Sequence, residues 1–110
     1  MPEQPAFANR EQTESTERSD GVVMRRLVQG PGLDLTEYTV PRGFTTGASD
    51  SERSDKIGYV VSGRVEITTP DGSVVVESGG AYRIPRGVPH QFTVLEEAVM
   101  VQVRRDPDQA

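Results

Sequence analysis

The chain has 110 residues, few aromatics and frequent glycine and proline, which bounds it to one domain with one core and favours strands and turns over a helical bundle. With no cysteine, disulfides, thiolate metal sites and cysteine nucleophiles are excluded. A net charge of −5 gives no electrostatic footprint for nucleic acid or anionic lipid, and no apolar run approaches the roughly 18 residues of a membrane span.

Residues 1–20 carry a charge of −3 and a single large apolar side chain, Phe7. Such a segment buries too little apolar surface to offset the entropy of ordering, so it reads as a flexible N-terminal arm ahead of a domain at 21–110. Docking on a neighbouring subunit as an edge strand is the other reading of it. From residue 22 onward, short β-rich runs alternate with turn signals. The run 22–28 ends at Gly30-Pro31-Gly32, and 33–40 alternates with period two before stopping at Pro41-Arg42-Gly43. Residues 43–55 are polar and turn-like. Two strands, 57–61 and 64–69, hinge at Gly63, and Pro70-Asp71-Gly72 forms a hairpin turn into 73–77. Strands at 81–84, 90–95 and 98–104 bring the number to about eight, with no helix. This all-β pattern predicts a small closed or nearly closed barrel of two sheets.

The chain has one histidine, His90, and one lysine, Lys56. The segment from Gly79 through Pro85, Gly87 and Pro89 to His90 reads as a strand that turns sharply and aims one imidazole into a cavity. An imidazole there ligates a metal or transfers protons; a core histidine with a backbone partner is the plain alternative. Every other cation in the chain is arginine. Lysine, unlike arginine, loses its proton readily when buried, which suits proton transfer or Schiff-base chemistry; a surface lysine at a strand start is the plain alternative. Asp50 and Glu52 share one side of an extended stretch, and with His90 they make a carboxylate-rich set for Mn, Fe or Zn; the same stretch also reads as a solvated loop. Tyr38 and Phe92 are expected at the rim and wall of the cavity. Arg42 is expected at its mouth, where a guanidinium would hold a substrate carboxylate. Gly30-Pro31-Gly32 and Gly79-Gly80 are turns and not phosphate loops, since neither opens a helix.

These segments resemble the two motifs of the cupin superfamily, small double-stranded β-helix barrels. Its second motif is a glycine, five residues, a proline, any residue, a glycine, two residues and a histidine. Gly79, Pro85, Gly87 and His90 stand at those positions, with Val94 where an asparagine is common. Its first motif ends in a strand similar to Tyr59-Val60-Val61-Ser62-Gly63. The ligand positions depart: Lys56 stands at the family's glutamate, and Asp50 and Glu52 at its two histidines, or Ser49 and Ser51 if the loop is one residue longer. The resemblance covers residues 22–105 and implies an all-β cupin barrel with His90, Phe92 and Val94 on the inner face.

Three functions follow as expectations. The first is a small-molecule enzyme, an isomerase, cyclase, lyase or decarboxylase, with His90 as general acid/base and Lys56 as electrophilic stabiliser or second proton carrier. The second is a metal-dependent cupin, oxygenase or isomerase, with Asp50, Glu52 and His90 as ligands. The third is a non-catalytic module that binds a small effector in the same cavity. The partner expected is a small-molecule ligand or substrate, with no nucleic acid and no membrane. Open sheet edges, and the habit of cupins, predict a homodimer. The absence of an apolar leader stretch predicts a cytoplasmic protein.

Overall fold

The computed structural model describes residues 4–46 and 54–106. After one 3₁₀ turn at Arg10–Gln12, the strands are β1 (Thr16–Glu17), β2 (Val23–Gly30), β3 (Leu33–Val40), β4 (Asp55–Thr69), β5 (Gly72–Glu77), β6 (Ala81–Ile84) and β7 (Gln91–Arg105). All pairings are antiparallel. The all-β cupin-type architecture expected from the sequence is what the chain adopts. No helix among the described residues is long and apolar enough to cross a membrane.

The strand count changes for a physical reason. The runs 57–61 and 64–69 are one strand, β4, and the runs 90–95 and 98–104 are one strand, β7. Both bend instead of ending. β4 pairs with β7 along nearly its whole length, from Asp55↔Arg105 to Thr68↔Gln91, and the register slips at Val60/Ser62, Ser62/Arg64 and Arg64/Val65. Those irregularities are β-bulges, which kink a strand while leaving it paired. Gly63 sits at the kink with φ +92°, and a Cβ there would lie 2.2 Å from the Glu97 carbonyl oxygen. Only glycine fits that close a crossing.

The bend divides the fold into two walls. In one, β1, β2 and β3 lead to the second half of β7, then to the first half of β4 and β6. In the other, the first half of β7 pairs with the second half of β4, which pairs with β5. Residues 43–46 complete this wall, with Val94 N donating to Phe44 O, Thr46 N to Phe92 O, and a bridge between Thr45 and Thr93.

Alternation along each strand chooses what the walls enclose. In β4 the buried positions are Lys56, Gly58 and Val60 before the kink, then Val65 and Ile67 after it. The inward phase therefore changes from even to odd, as an inserted residue requires. In β7 the buried Phe92, Val94, Ala98 and Met100 stay in one phase. The core gathers these with Val22, Val40 and Ile84. In β3 the inward phase is Thr36 and Val40, while Leu33 is exposed on the outer face. The outer surface there is apolar, with Ile57, Tyr59, Val61 and Val103 exposed beside Leu33.

Residues 4–20, marked as an arm by composition, lie against the barrel. Thr16 and Glu17 pair with Met24 and Val23 of β2. Arg10 donates from Nε to the Glu37 carboxylate at 3.0 Å, and the Arg25 guanidinium donates to the Thr13 carbonyl.

Gly63→Ala tests the kink. It adds a methyl group where φ is positive and the partner backbone is in contact, so stability should fall by about 2–4 kcal/mol, read as a lower urea midpoint. An unchanged midpoint would mean that the β4–β7 crossing can open without cost.

Candidate functional site

The inner end of β4 begins at Lys56, whose backbone pairs with Ile84 of β6 and Arg104 of β7. Asp55, one residue earlier, faces outward and fixes this corner. Its carboxylate accepts from the Arg86 backbone N–H at 3.0 Å and the Arg105 guanidinium at 3.1 Å, with Arg83 at 3.6 Å. The Arg86 N–H and the Arg105 guanidinium hold its carboxyl below the ordinary carboxylate value. One acidic side chain thus ties the start of β4 to the turn after β6 and the end of β7.

Lys56 points the other way, inward. It is 7% exposed and His90 6% exposed, and Lys56 Nζ lies 3.0 Å from His90 Nε2. The opposite ring nitrogen, Nδ1, is 2.9 Å from the Val88 carbonyl oxygen. A carbonyl only accepts, so Nδ1 carries hydrogen and donates. Two nitrogens in contact bond only when one donates and the other accepts, so a single proton lies between Nζ and Nε2. Phe92 closes the other side, its ring centroid 5.9 Å from Nζ and 5.5 Å edge-to-face from the imidazole.

A cavity of about 210 Å³ opens beside this pair. Lys56 and Phe92 line it, with Tyr38, Tyr82, Gln102, Thr46, Arg18 and Arg104 as its other polar or aromatic walls and Val22, Val40, Phe44, Val94 and Met100 as its apolar ones. Tyr82 crosses from β6 over Gly58, where a Cβ would fall 2.1 Å from the ring, and donates its hydroxyl to Gln102 Oε1 at 2.7 Å. Burial pushes the Tyr82 phenol well above its ordinary value. Burial also raises that of Tyr38, against the opposing pull of Arg104.

Of the residues singled out from sequence, Lys56, His90, Phe92 and Tyr38 come together here. Lys56 and not His90 lines this cavity, so the imidazole stands behind the ammonium. Arg42 does not join them. It is exposed in the turn after β3, a turn closed by the Phe44 N–H on the Pro41 carbonyl and anchored by Gly43 N on Val94 O, and it lies outside the cavity lining. The lining arginines are Arg18 and Arg104. Gln102 and Arg104 follow Met100 on the inward phase of β7, a signal available in the alternation; Arg18 comes from the arm, and no sequence pattern points to it. Asp50 and Glu52, like Ser49 and Ser51, lie outside the described residues.

The divalent metal implied by the resemblance does not fit the His90 ring as it is bonded here. Nδ1 donates to a carbonyl and Nε2 meets the Lys56 amine, so neither nitrogen turns a free lone pair to a cation. Among the described residues no group of three or more His, Cys, Asp or Glu could hold an ion.

Residues 36–103 match the family model described as "Cupin domain". An uncharacterized protein from Streptomyces coelicolor is 28% identical over 92 residues, which is 84% of this chain and 86% of that protein. Among solved structures, an RmlC-like cupin from Shewanella frigidimarina is similar with TM-score 0.85 and 19% identity, covering 96% of this chain and 95% of that one. KdgF from Halomonas sp. is similar with TM-score 0.82 and 22% identity, covering 92% and 94%. At these identities the structural likeness is one of fold.

The phenol environment carries a pH prediction. Tyr82 stays protonated in the fold to higher pH than in the unfolded chain. Above the ordinary phenol value near 10, unfolding therefore releases a proton and becomes easier. Stability should hold below that pH and fall above it, by about 1.4 kcal/mol per pH unit for this tyrosine. Urea unfolding across the range should show a shallower decline in Tyr82→Phe, and equal slopes in the two proteins would refute the assignment.

Proposed function

The chain belongs to the cupin family, and from that premise we propose that its barrel cavity is a proton-transfer site for a small molecule, with Lys56 as the group that meets the substrate. The observation that carries this reading is the 3.0 Å contact between Lys56 Nζ and His90 Nε2, both buried, with Lys56 on the cavity wall. Isomerisation, β-elimination and decarboxylation each make or consume a carbanion beside a carbonyl, and each needs a base and an acid at one place.

The pair supplies both. Transfer of the shared proton to Nε2 leaves a neutral amine facing the cavity and an imidazolium whose Nδ1–H still rests on the Val88 carbonyl. The amine then takes a proton from the carbon next to a substrate carbonyl. The resulting ammonium stabilises the enolate charge and returns a proton to carbon to close the cycle. Low local dielectric strengthens that stabilisation relative to water. His90 acts through Lys56, as its proton partner and positioning residue. Phe92 shields one side of the pair, and Tyr38 is one of the hydroxyls on the cavity wall. The metal-dependent reading has less support, because the imidazole lone pair is engaged by the amine.

Solvent exchange tests the chemistry. In D₂O, a panel of enolisable aldehydes, ketones and oxo acids should include one whose α-hydrogen is exchanged by the protein, followed by proton NMR. Lys56→Met should lower that rate by roughly 10²–10⁴. His90→Gln should lower it less and also change its pH profile, which a purely structural role would not do. No exchange above buffer with any compound, or full rates in both variants, would reject the reading.

The partner proposed for the outer face is a second copy of the chain. Leu33, Ile57, Tyr59, Val61 and Val103 form an exposed apolar surface on the outside of one wall. A homodimer would cover it. Sedimentation velocity should give a dimer for the wild type and a monomer for Ile57→Glu; a monomeric wild type would remove the dimer.

A further inference from the structure

The chain carries a net charge of −5, yet among the described residues the cavity beside the Lys56–His90 pair is lined by the cations Arg18, Lys56 and Arg104 and by no aspartate or glutamate. Strand register produces this. Lys56 and Arg104 are direct partners across β4 and β7, and Arg104 is the direct partner of Asp34 across β7 and β3. Partners in an antiparallel ladder have Cβ atoms about 4.5–5.5 Å apart, and like charges set opposite one another destabilise the pair. Each cation relieves part of that repulsion elsewhere. Lys56 turns to His90, and Arg104 reaches Asp34 Oδ2 at 3.6 Å. Arg18 is paired with Asp20 and reaches the cavity from the segment that follows β1. Arg18, Tyr38 and Arg104 line the same cavity, and Arg18 and Arg104 both act electrostatically on the Tyr38 phenol.

Asp34 and Asp20 sit behind their arginines and do not line the cavity. A guanidinium presents five N–H donors, and one carboxylate behind it leaves donors directed elsewhere. The lining therefore presents positive charge to whatever enters, beside the apolar surface of Val22, Val40, Phe44 and Met100. The volume of about 210 Å³ is below the roughly 300–1,000 Å³ of pockets for drug-sized ligands, which restricts the occupant to a few carbons.

We propose that the cavity takes a small aliphatic carboxylate, its carboxyl group held by Arg104 and Arg18 beside Tyr38 and its carbon chain lying against Phe44 and Met100, with the far end directed at Lys56. The placement of a reacting carbon at Lys56 rests on the proton-transfer reading above. The carboxylate end does not, and it is tested by binding alone.

Isothermal titration with linear carboxylates from propionate to adipate, their methyl esters, and putrescine reads this directly. At least one acid should bind roughly ten-fold or more tightly than its ester, and putrescine should not bind. Arg104→Gln should weaken that acid by roughly ten-fold, and Arg104→Lys should recover part of the loss. Arg18→Gln, at a position outside the paired strands, provides a second variant whose folding does not depend on the β3–β7 ladder. Equal binding of acids and esters, binding of putrescine, or acid affinity unchanged in both glutamine variants would overturn the proposal whatever the exchange experiment shows. Acid binding that survives alongside failed solvent exchange would instead reject the proton-transfer reading and leave the carboxylate site standing.

Discussion

The pairing of β4 with β7, kept across a bend at Gly63, is the constraint on which the rest depends. Each strand is 15 residues long and serves both walls of the barrel. The ladder resumes on both sides of the kink despite the register shifts there. Because bulges absorb the bend, the inward phase of β4 shifts while that of β7 does not. That difference sets Lys56 opposite Arg104 on one wall and Ile67 opposite Phe92 on the other. Polar and apolar inner faces thus come from the same two strands.

An ammonium buried at the base of such a barrel is expensive unless something replaces its water. The imidazole of His90 supplies an acceptor, and the Phe92 ring a π-face at 5.9 Å. The imidazole is in turn oriented by a backbone carbonyl, which selects the tautomer. The contacts run from the Val88 carbonyl through the His90 ring to the Lys56 amine on the cavity wall. The aromatics pack on one another, Tyr82 against Phe92 at 5.4 Å and Phe92 against His90 at 5.5 Å, both edge-to-face.

Much of the fold was legible in one dimension. Gly79, Pro85, Gly87 and His90 mark a turn that delivers an imidazole inward, and His90, Phe92 and Val94 are buried in one phase as alternation requires. The single lysine and the single histidine are in contact. The strand count was less legible, because a glycine inside a β-run signals a hinge equally well whether the chain breaks or bends there. The face of β3 was only partly legible: Tyr38 and Val40 share the inward phase, but so does Thr36, while Leu33 in the opposite phase is exposed. Arg42 drew attention as the cation beside a turn, whereas Arg18 and Arg104 line the cavity because of partners far away in sequence.

The sequence by itself determined the class of fold, the motif that carries His90, and the unusual presence of one lysine among arginines. These are local matters of spacing, turn chemistry and composition, readable without knowing what lies across a strand. Only the tertiary structure decided that Lys56 and not His90 would line the cavity, that Arg104 would stand opposite Lys56, and that residues ahead of β2 would bring Arg18 to the same cavity. Those juxtapositions arise from register and from a bulge that changes phase. Register belongs to pairs of strands, so no single strand contains it.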